Sequence, residues 1–161
     1  MQPKIFGKHG KEKMKNINEF IMKYRTVTEY PNSPNFIGRG HMRISRNPLV
    51  VCKDGFEMSV QCGQTLYSSP RDVAKRYSEV EIVFPSAPES LIAEYAEDWE
   101  IERDDDPKLC ETVYCYVPVG LVNKVLKNHG GIDEEAVVEQ MEKGERQNNQ
   151  SRIFSDRQEV A

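Results

Sequence analysis

A single α+β domain, with a mostly antiparallel sheet of about four to five strands packed with two to three short helices, follows from three features of this sequence. The chain has 161 residues, enough for one hydrophobic core and too few for two comfortable ones. Runs with a two-residue apolar period cluster between residues 48 and 84 without helical segments strictly alternating between them, which favours antiparallel pairing over βαβ units. Helix start and stop signals bracket separate segments on either side of those runs.

Taken in order, residues 1–13 read as a flexible basic lead, and the domain begins near Met14. Asn16 followed by Glu19 has the form of a capping box. Ile17, Phe20, Ile21 and Tyr24 then share one face at helical spacing, which predicts a short amphipathic helix from Ile17 to Arg25. The segment EYPNSPNFIGRG, with Pro31, Pro34, Gly38 and Gly40, predicts a loop. PLVVCK and FEMSVQC are strand-like runs joined at Asp54-Gly55, a tight-turn signal because both residues tolerate positive φ.

On the second of these strands Phe56, Met58, Val60 and Cys62 fall on one face, and Glu57, Ser59 and Gln61 on the other. QTLYSSPRDVAKRY is open between a loop and a short helix. YSEVEIVF sets Val80, Ile82 and Phe84 against Glu79, Glu81 and Val83 as a third strand. Ser86 and Glu89 repeat the capping pattern ahead of Leu91, Ile92 and Tyr95, which predicts a helix. The acidic run EDWEIERDDDPK predicts an exposed loop with Trp99 as its anchor. TVYCYV is a fourth strand. VGLVNKVLKNHGG is a helix closed by Gly130-Gly131, with His129 in its last turn. The domain therefore spans 14–132; residues 133–145 add a charged helix, and 146–161 read as a disordered tail.

Charge is split along the chain. Residues 1–76 hold 14 Lys and Arg against 6 Asp and Glu, a net +8; residues 77–161 hold 8 against 20, a net −12. Such a split suits an anionic ligand on the first half, a basic partner on the second, or attraction between the halves within one fold. No apolar run reaches the roughly 18 residues of a membrane helix, and the basic start lacks the apolar stretch of a secretory signal, so a cytoplasmic address in a bacterial host is expected. Cys52, Cys62, Cys110 and Cys115 have no zinc-type spacing and are expected as metal-free thiols, with Cys62 and Cys115 buried on strands.

Three constellations could carry chemistry. His41 with Cys52 or Cys62 has the composition of a base and a nucleophile, but strand-interior cysteines are usually buried and inert. Arg39, His41, Arg43, Arg46 and Arg71, with the polar strand face of Ser59 and Gln61, could hold a phosphate or carboxylate, because guanidinium forks match those groups. Pairing of these arginines with the acidic half is the alternative. The third is the acidic set Glu94, Glu97, Asp98, Glu100, Asp104, Asp105 and Asp106, which could mimic nucleic acid toward a basic groove.

Two resemblances add to this. GQTLYSSPRDVAKRYSEVEIVF is similar to the tyrosine-bearing segment of ADP-ribosyltransferases. That resemblance implies His41 as a ribose-binding histidine, Tyr67 as a stacking ring with Tyr77 as the second tyrosine, Glu111 as the acid and nicotinamide dinucleotide as substrate; this chain has GRGHMR where that family has His-Gly-Thr or His-Gly-Ser. Ordinary strand tyrosines remain the alternative. From GRGHMR through NPLVVCKDGFEMSVQ, VEIVFPS and TVYCYVP to NHGG, the chain also resembles small uncharacterised proteins encoded by bacteriophages and prophages, over Met14 to about Ile132. This implies an accessory role in host takeover or counter-defence and transfers no catalytic residue.

The reading that results is a binding protein without catalysis or cofactor. It engages a host protein or an anionic, nucleotide-like small ligand through His41, Arg43, Ser59, Gln61, Tyr67 and Arg71; no membrane partner is expected, and direct nucleic-acid binding is not favoured.

Overall fold

The computed structural model describes residues 14–31 and 41–160, with side chains through residue 153. The basic lead and Arg39 lie outside the described residues. The chain runs α1 (Ile17–Tyr24), β1 (Thr26–Tyr30), β2 (Met42–Arg46), β3 (Val50–Val51), β4 (Glu57–Gln61), β5 (Glu79–Val83), β6 (Val113–Pro118), α2 (Val119–Asn128) and α3 (Glu134–Val160). It is an α+β fold with two antiparallel sheets, β1-β2 and β3-β4-β5-β6.

The core lies on one face of the four-stranded sheet. Met58 and Val60 from β4, Val80 and Ile82 from β5, and Tyr114 and Val117 from β6 are all buried, as the two-residue period requires. Onto them pack Ile17, Phe20 and Ile21 of α1 and Val122, Val125 and Leu126 of α2. Each such burial stabilises by roughly 1.5–3 kcal/mol. The side chain of Asn16 caps α1 by accepting from the N–H groups of Asn18 and Glu19 at 3.0 and 3.4 Å. The first turn of α1 is tied to α2 where Asn123 Oδ1 accepts from the Ile17 N–H at 2.8 Å. α2 closes at its two glycines, with the Gly131 N–H donating to Leu126 O at 2.8 Å.

The hairpin at Asp54-Gly55 forms, with a different turn from the expected one. Gly55 N–H donates back to Cys52 O at 3.0 Å and Cys52 N–H to Phe56 O at 2.8 Å, so three residues span the loop. Only Gly55 takes positive φ, at 94°; Asp54 instead accepts from the Phe56 N–H at 2.9 Å through Oδ1.

Several expectations are corrected. Glu29 and Tyr30, expected in a loop, and residues 26–28 and 42–46, to which the sequence reading assigns no element, form a two-stranded ribbon, with all five residues of β1 exposed, so they lack an apolar period. Phe84 continues the alternation of β5 in sequence but turns out of the sheet at φ 53° and is 63% exposed. The segment after Ser86 shrinks to a 3-10 turn at Ala93–Tyr95, because Ser86 Oγ accepts from the Glu57 N–H at 2.9 Å and so serves β4 instead of a helix end. Trp99 does not anchor the acidic loop: it is 85% exposed. The loop is held by Glu97 N–H donating to Val113 O at 2.7 Å and by the Tyr114 hydroxyl donating to Leu109 O at 2.6 Å.

Cys115 is only half-buried, because β6 carries an extra residue between the partners of Val80 and Ile82, with Tyr116 at φ 52°. α3 continues through 146–160, the segment expected as a disordered tail. It contains no proline, and Glu139–Lys143 and Glu142–Arg146 pair at 3.3 and 3.7 Å one turn apart.

Candidate ligand-binding site

The face of the sheet opposite the helices carries Glu57, Ser59 and Gln61 of β4 and Glu79 and Glu81 of β5, all half-buried. Against its β4 side lies β2, joined by side chains in place of a strand ladder. The Ser45 hydroxyl donates to Cys62 O, and the Arg43 N–H donates to Gln64 Oε1 at 2.9 Å. Gln61 clamps the next residue along: its Oε1 accepts from the Asn47 N–H at 3.0 Å, and its Nε2 donates to Asn47 O at 2.9 Å and to Ser59 Oγ at 3.0 Å. One carboxamide thus stands in for a neighbouring strand at Asn47, which is 4% exposed.

This approach depends on Gly63. Its φ is 151°, and a Cβ built there would lie 2.6 Å from Ser45 Oγ, so a side chain would push β2 away from β4.

Between the ribbon and the sheet these ties enclose a cleft of about 430 Å³. Asn47, Ser59 and Gln61 give it a polar lining, Arg43 and Arg46 supply two cations, and Leu66 closes the side toward Tyr67. No carboxylate among the described residues lines it, although the chain as a whole carries a net charge of −4. Arg43 is loosely engaged outside the cleft, with Nη2 3.5 Å from Asp72 Oδ1 and 3.4 Å from Val73 O. Asp72 is held below its ordinary 3.8, first by the Gln64 amide and the Val73 N–H and then by Arg43. Arg46 is exposed and has no ion-pair partner among the described residues. Asn47 Nδ2 donates to Val60 O at 2.9 Å, while its Oδ1 is buried without a donor among the described residues. An unpaired buried acceptor costs about 1–3 kcal/mol and is uncommon in folded proteins.

The sequence-derived residues thus divide. Arg43, Ser59 and Gln61 meet at the cleft. His41 is exposed just before β2, and no contact joins it to them among the described residues. Tyr67 and Arg71 form a neighbouring group: the Arg71 guanidinium lies 6.0 Å over the Tyr67 ring, and that ring meets Tyr116 at 5.7 Å and 58°. Asn47, Gln64 and Leu66 escaped sequence reasoning, since a loop asparagine or glutamine carries no periodic signal. Tyr77, the second tyrosine of the transferase resemblance, is buried; its hydroxyl donates to Asp72 O at 2.6 Å and accepts from the Ala74 N–H at 2.9 Å. Glu111 is exposed at the end of the 3-10 turn Pro107–Cys110.

Cys52 and Cys62 are buried, and burial followed by the Asp54 charge pushes the Cys52 thiol up to about 12. Neither is poised as a nucleophile. Among the described residues no group of three or more His, Cys, Asp or Glu side chains is placed to hold a metal, and no helix is long and apolar enough to cross a membrane. In the acidic segment Arg103 binds Asp105 through two nitrogens at 2.9 Å, and Asp98 and Asp106 accept from backbone N–H groups at 3.0 and 2.9 Å.

A second polar cluster lies at the opposite end of β4. His129 stacks on Phe56 with ring centres 4.1 Å apart, and its nitrogens meet Asp54 Oδ2 at 2.6 Å and Glu89 Oε2 at 3.1 Å. Burial alone pulls the imidazole down, but the hydrogen bonds to the two carboxylates outweigh it and raise the pKa above the ordinary 6.5. The cluster ties the hairpin turn, the end of α2 and the segment after β5 together. No family model, curated protein or solved structure matches the chain.

Proposed function

We propose that this protein is a binding module, acting without catalysis, whose cleft between β2 and β4 receives a small anionic ligand. The observation that carries this reading is the lining itself: two arginines and six uncharged hydrogen-bonding side chains with no carboxylate among the described residues, in a chain of net negative charge. A cleft of about 430 Å³ lies within the roughly 300–1,000 Å³ of small-molecule sites. Guanidinium groups recognise phosphate and carboxylate through paired N–H donors, and such charge-assisted bonds are among the stronger polar contacts. The Arg43 tie to Asp72, at 3.5 Å, is long enough to yield to a better acceptor.

Titration with ribose 5-phosphate, followed through backbone amide resonances, tests the reading. The amides of Arg46, Asn47 and Gln64 should shift together, and Arg46→Ala should weaken the affinity about tenfold or more. Arg71→Ala, outside the cleft, should leave that affinity unchanged. Shifts scattered over the surface, or an affinity indifferent to Arg46, would rule out the cleft as the site.

A further inference from the structure

The cleft does not end at Leu66. Leu66 lines it and Tyr67 follows directly in the chain. Gln61, also in the lining, stands opposite Glu81 in the β4–β5 register, and Glu81 Oε2 accepts from the Tyr67 N–H at 2.9 Å. The Tyr67 carbonyl in turn accepts from the Tyr116 N–H at 3.2 Å. Tyr67 is therefore fixed through both backbone groups over β5 and β6, one to two strand spacings from Gln61.

Tyr116 reaches this place only through the β6 bulge, at φ 52°, a region that residues bearing a side chain seldom occupy. Bulges re-aim side chains, and an unfavourable backbone held by its surroundings tends to mark a functional position. Here it brings a second aromatic ring against Tyr67, and both rings are half-buried. Glu81 has one oxygen committed to the Tyr67 N–H, while its Oε1 makes no hydrogen bond among the described residues.

From the cleft outward the order is thus two cations, a carboxylate with a free acceptor oxygen, and a pair of tyrosine rings beside an arginine. We propose that the ligand is a nucleoside phosphate, with its phosphate at Arg43 and Arg46, its hydroxyl or amine donors at Glu81, and its base against the Tyr67–Tyr116 pair. This rests on the cleft being the anion site and specifies what else that anion carries. The Glu81 carboxylate fixes the orientation, since it repels phosphate and accepts from sugar or base. Aromatic rings hold a base by stacking, a contact that tolerates base identity because every base has a π face. Arg71 lies over the Tyr67 ring, its guanidinium carbon 6.0 Å from the ring centre, and adds a cation to the same group.

Calorimetric titration of the full chain with adenosine 5′-monophosphate, ribose 5-phosphate and adenosine separates the parts. The nucleotide should bind roughly tenfold or more tightly than ribose 5-phosphate, the advantage one stacked base confers. Tyr67→Ala should erase that advantage and leave ribose 5-phosphate binding intact. Arg46→Ala should weaken both phosphates and leave adenosine alone. Should Tyr67→Ala misfold by circular dichroism, Tyr67→Leu and Arg71→Ala provide the same comparison on a folded chain. Equal affinity for the nucleotide and ribose 5-phosphate overturns the contact with the tyrosine pair and leaves the anion cleft standing. No binding of either phosphate at millimolar concentration overturns both.

Discussion

Replacing Gln61 with alanine removes a clamp that no strand ladder duplicates. The carboxamide accepts from the Asn47 N–H and donates to its carbonyl, at 3.0 and 2.9 Å, on a residue that is 4% exposed. Each such bond is worth about 0.5–1.5 kcal/mol net, and a buried backbone group left without a partner costs about 1–3 kcal/mol. Water can reach part of the gap from the cleft, so the expected loss lies between these limits, at about 2–3 kcal/mol. For a chain of this length that corresponds to a drop in Tm of roughly 5–10 °C.

Gln61→Glu separates the two bonds: the carboxylate still accepts from the N–H but faces the carbonyl with a second acceptor, and should be destabilised at neutral pH as well. Thr65→Ala, exposed on the same cleft wall, should stay within about 0.5 kcal/mol. Urea unfolding of the three variants, monitored by far- and near-ultraviolet circular dichroism with a common m value, measures the differences. A Gln61→Ala cost indistinguishable from that of Thr65→Ala would refute the clamp and return Gln61 to the exposed face that its strand alternation suggests.

Stability should also depend on pH through the His129 cluster. Because the His129 pKa is raised on folding, its contribution is complete below 6.5 and is lost as pH rises through the folded value; Asp54, lowered first by the Phe56 N–H and then by His129, contributes above 3.8 and loses this as pH falls through its folded value. The cluster is therefore at full strength between about pH 3.8 and 6.5, and His129→Gln should flatten the decline of the urea midpoint above that range. An unchanged decline would assign it to other groups. Thiol labelling of the native protein should reach Cys110 and Cys115 but spare buried Cys52 and Cys62, with four groups reacting after denaturation. Rapid native labelling of Cys52 would contradict its place in the core.

Where a residue's role is set by its immediate neighbours, the sequence alone determined it. The period of two in Phe56, Met58, Val60 and Cys62 places those side chains in the core, and the Asn16 cap and the Gly130-Gly131 stop bound α1 and α2, because each signal is complete within a few residues. Alternation also separates Ser59 and Gln61 from that core, and so identifies half of the cleft. What joins the cleft together is non-local. Gln61 clamps Asn47 from 14 residues away, and in the same manner Asn18 pairs both backbone groups of Tyr77 from 59 residues away, at 3.0 and 2.8 Å.

A carboxamide that replaces a strand looks in sequence like any surface amide, since the hydrogen bonds that define it belong to backbone brought there by the fold. The same holds for the ribbon β1–β2, which lacks an apolar period because it is exposed along β1, and for Phe84 and Tyr116, whose positive φ the neighbouring chain imposes against their own preference. Only the tertiary structure could set Arg43 and Arg46 beside Ser59 and Gln61 and place Tyr67 against Tyr116. Those distances depend on how separate segments pack, and packing energy is summed over contacts that no short stretch of chain contains.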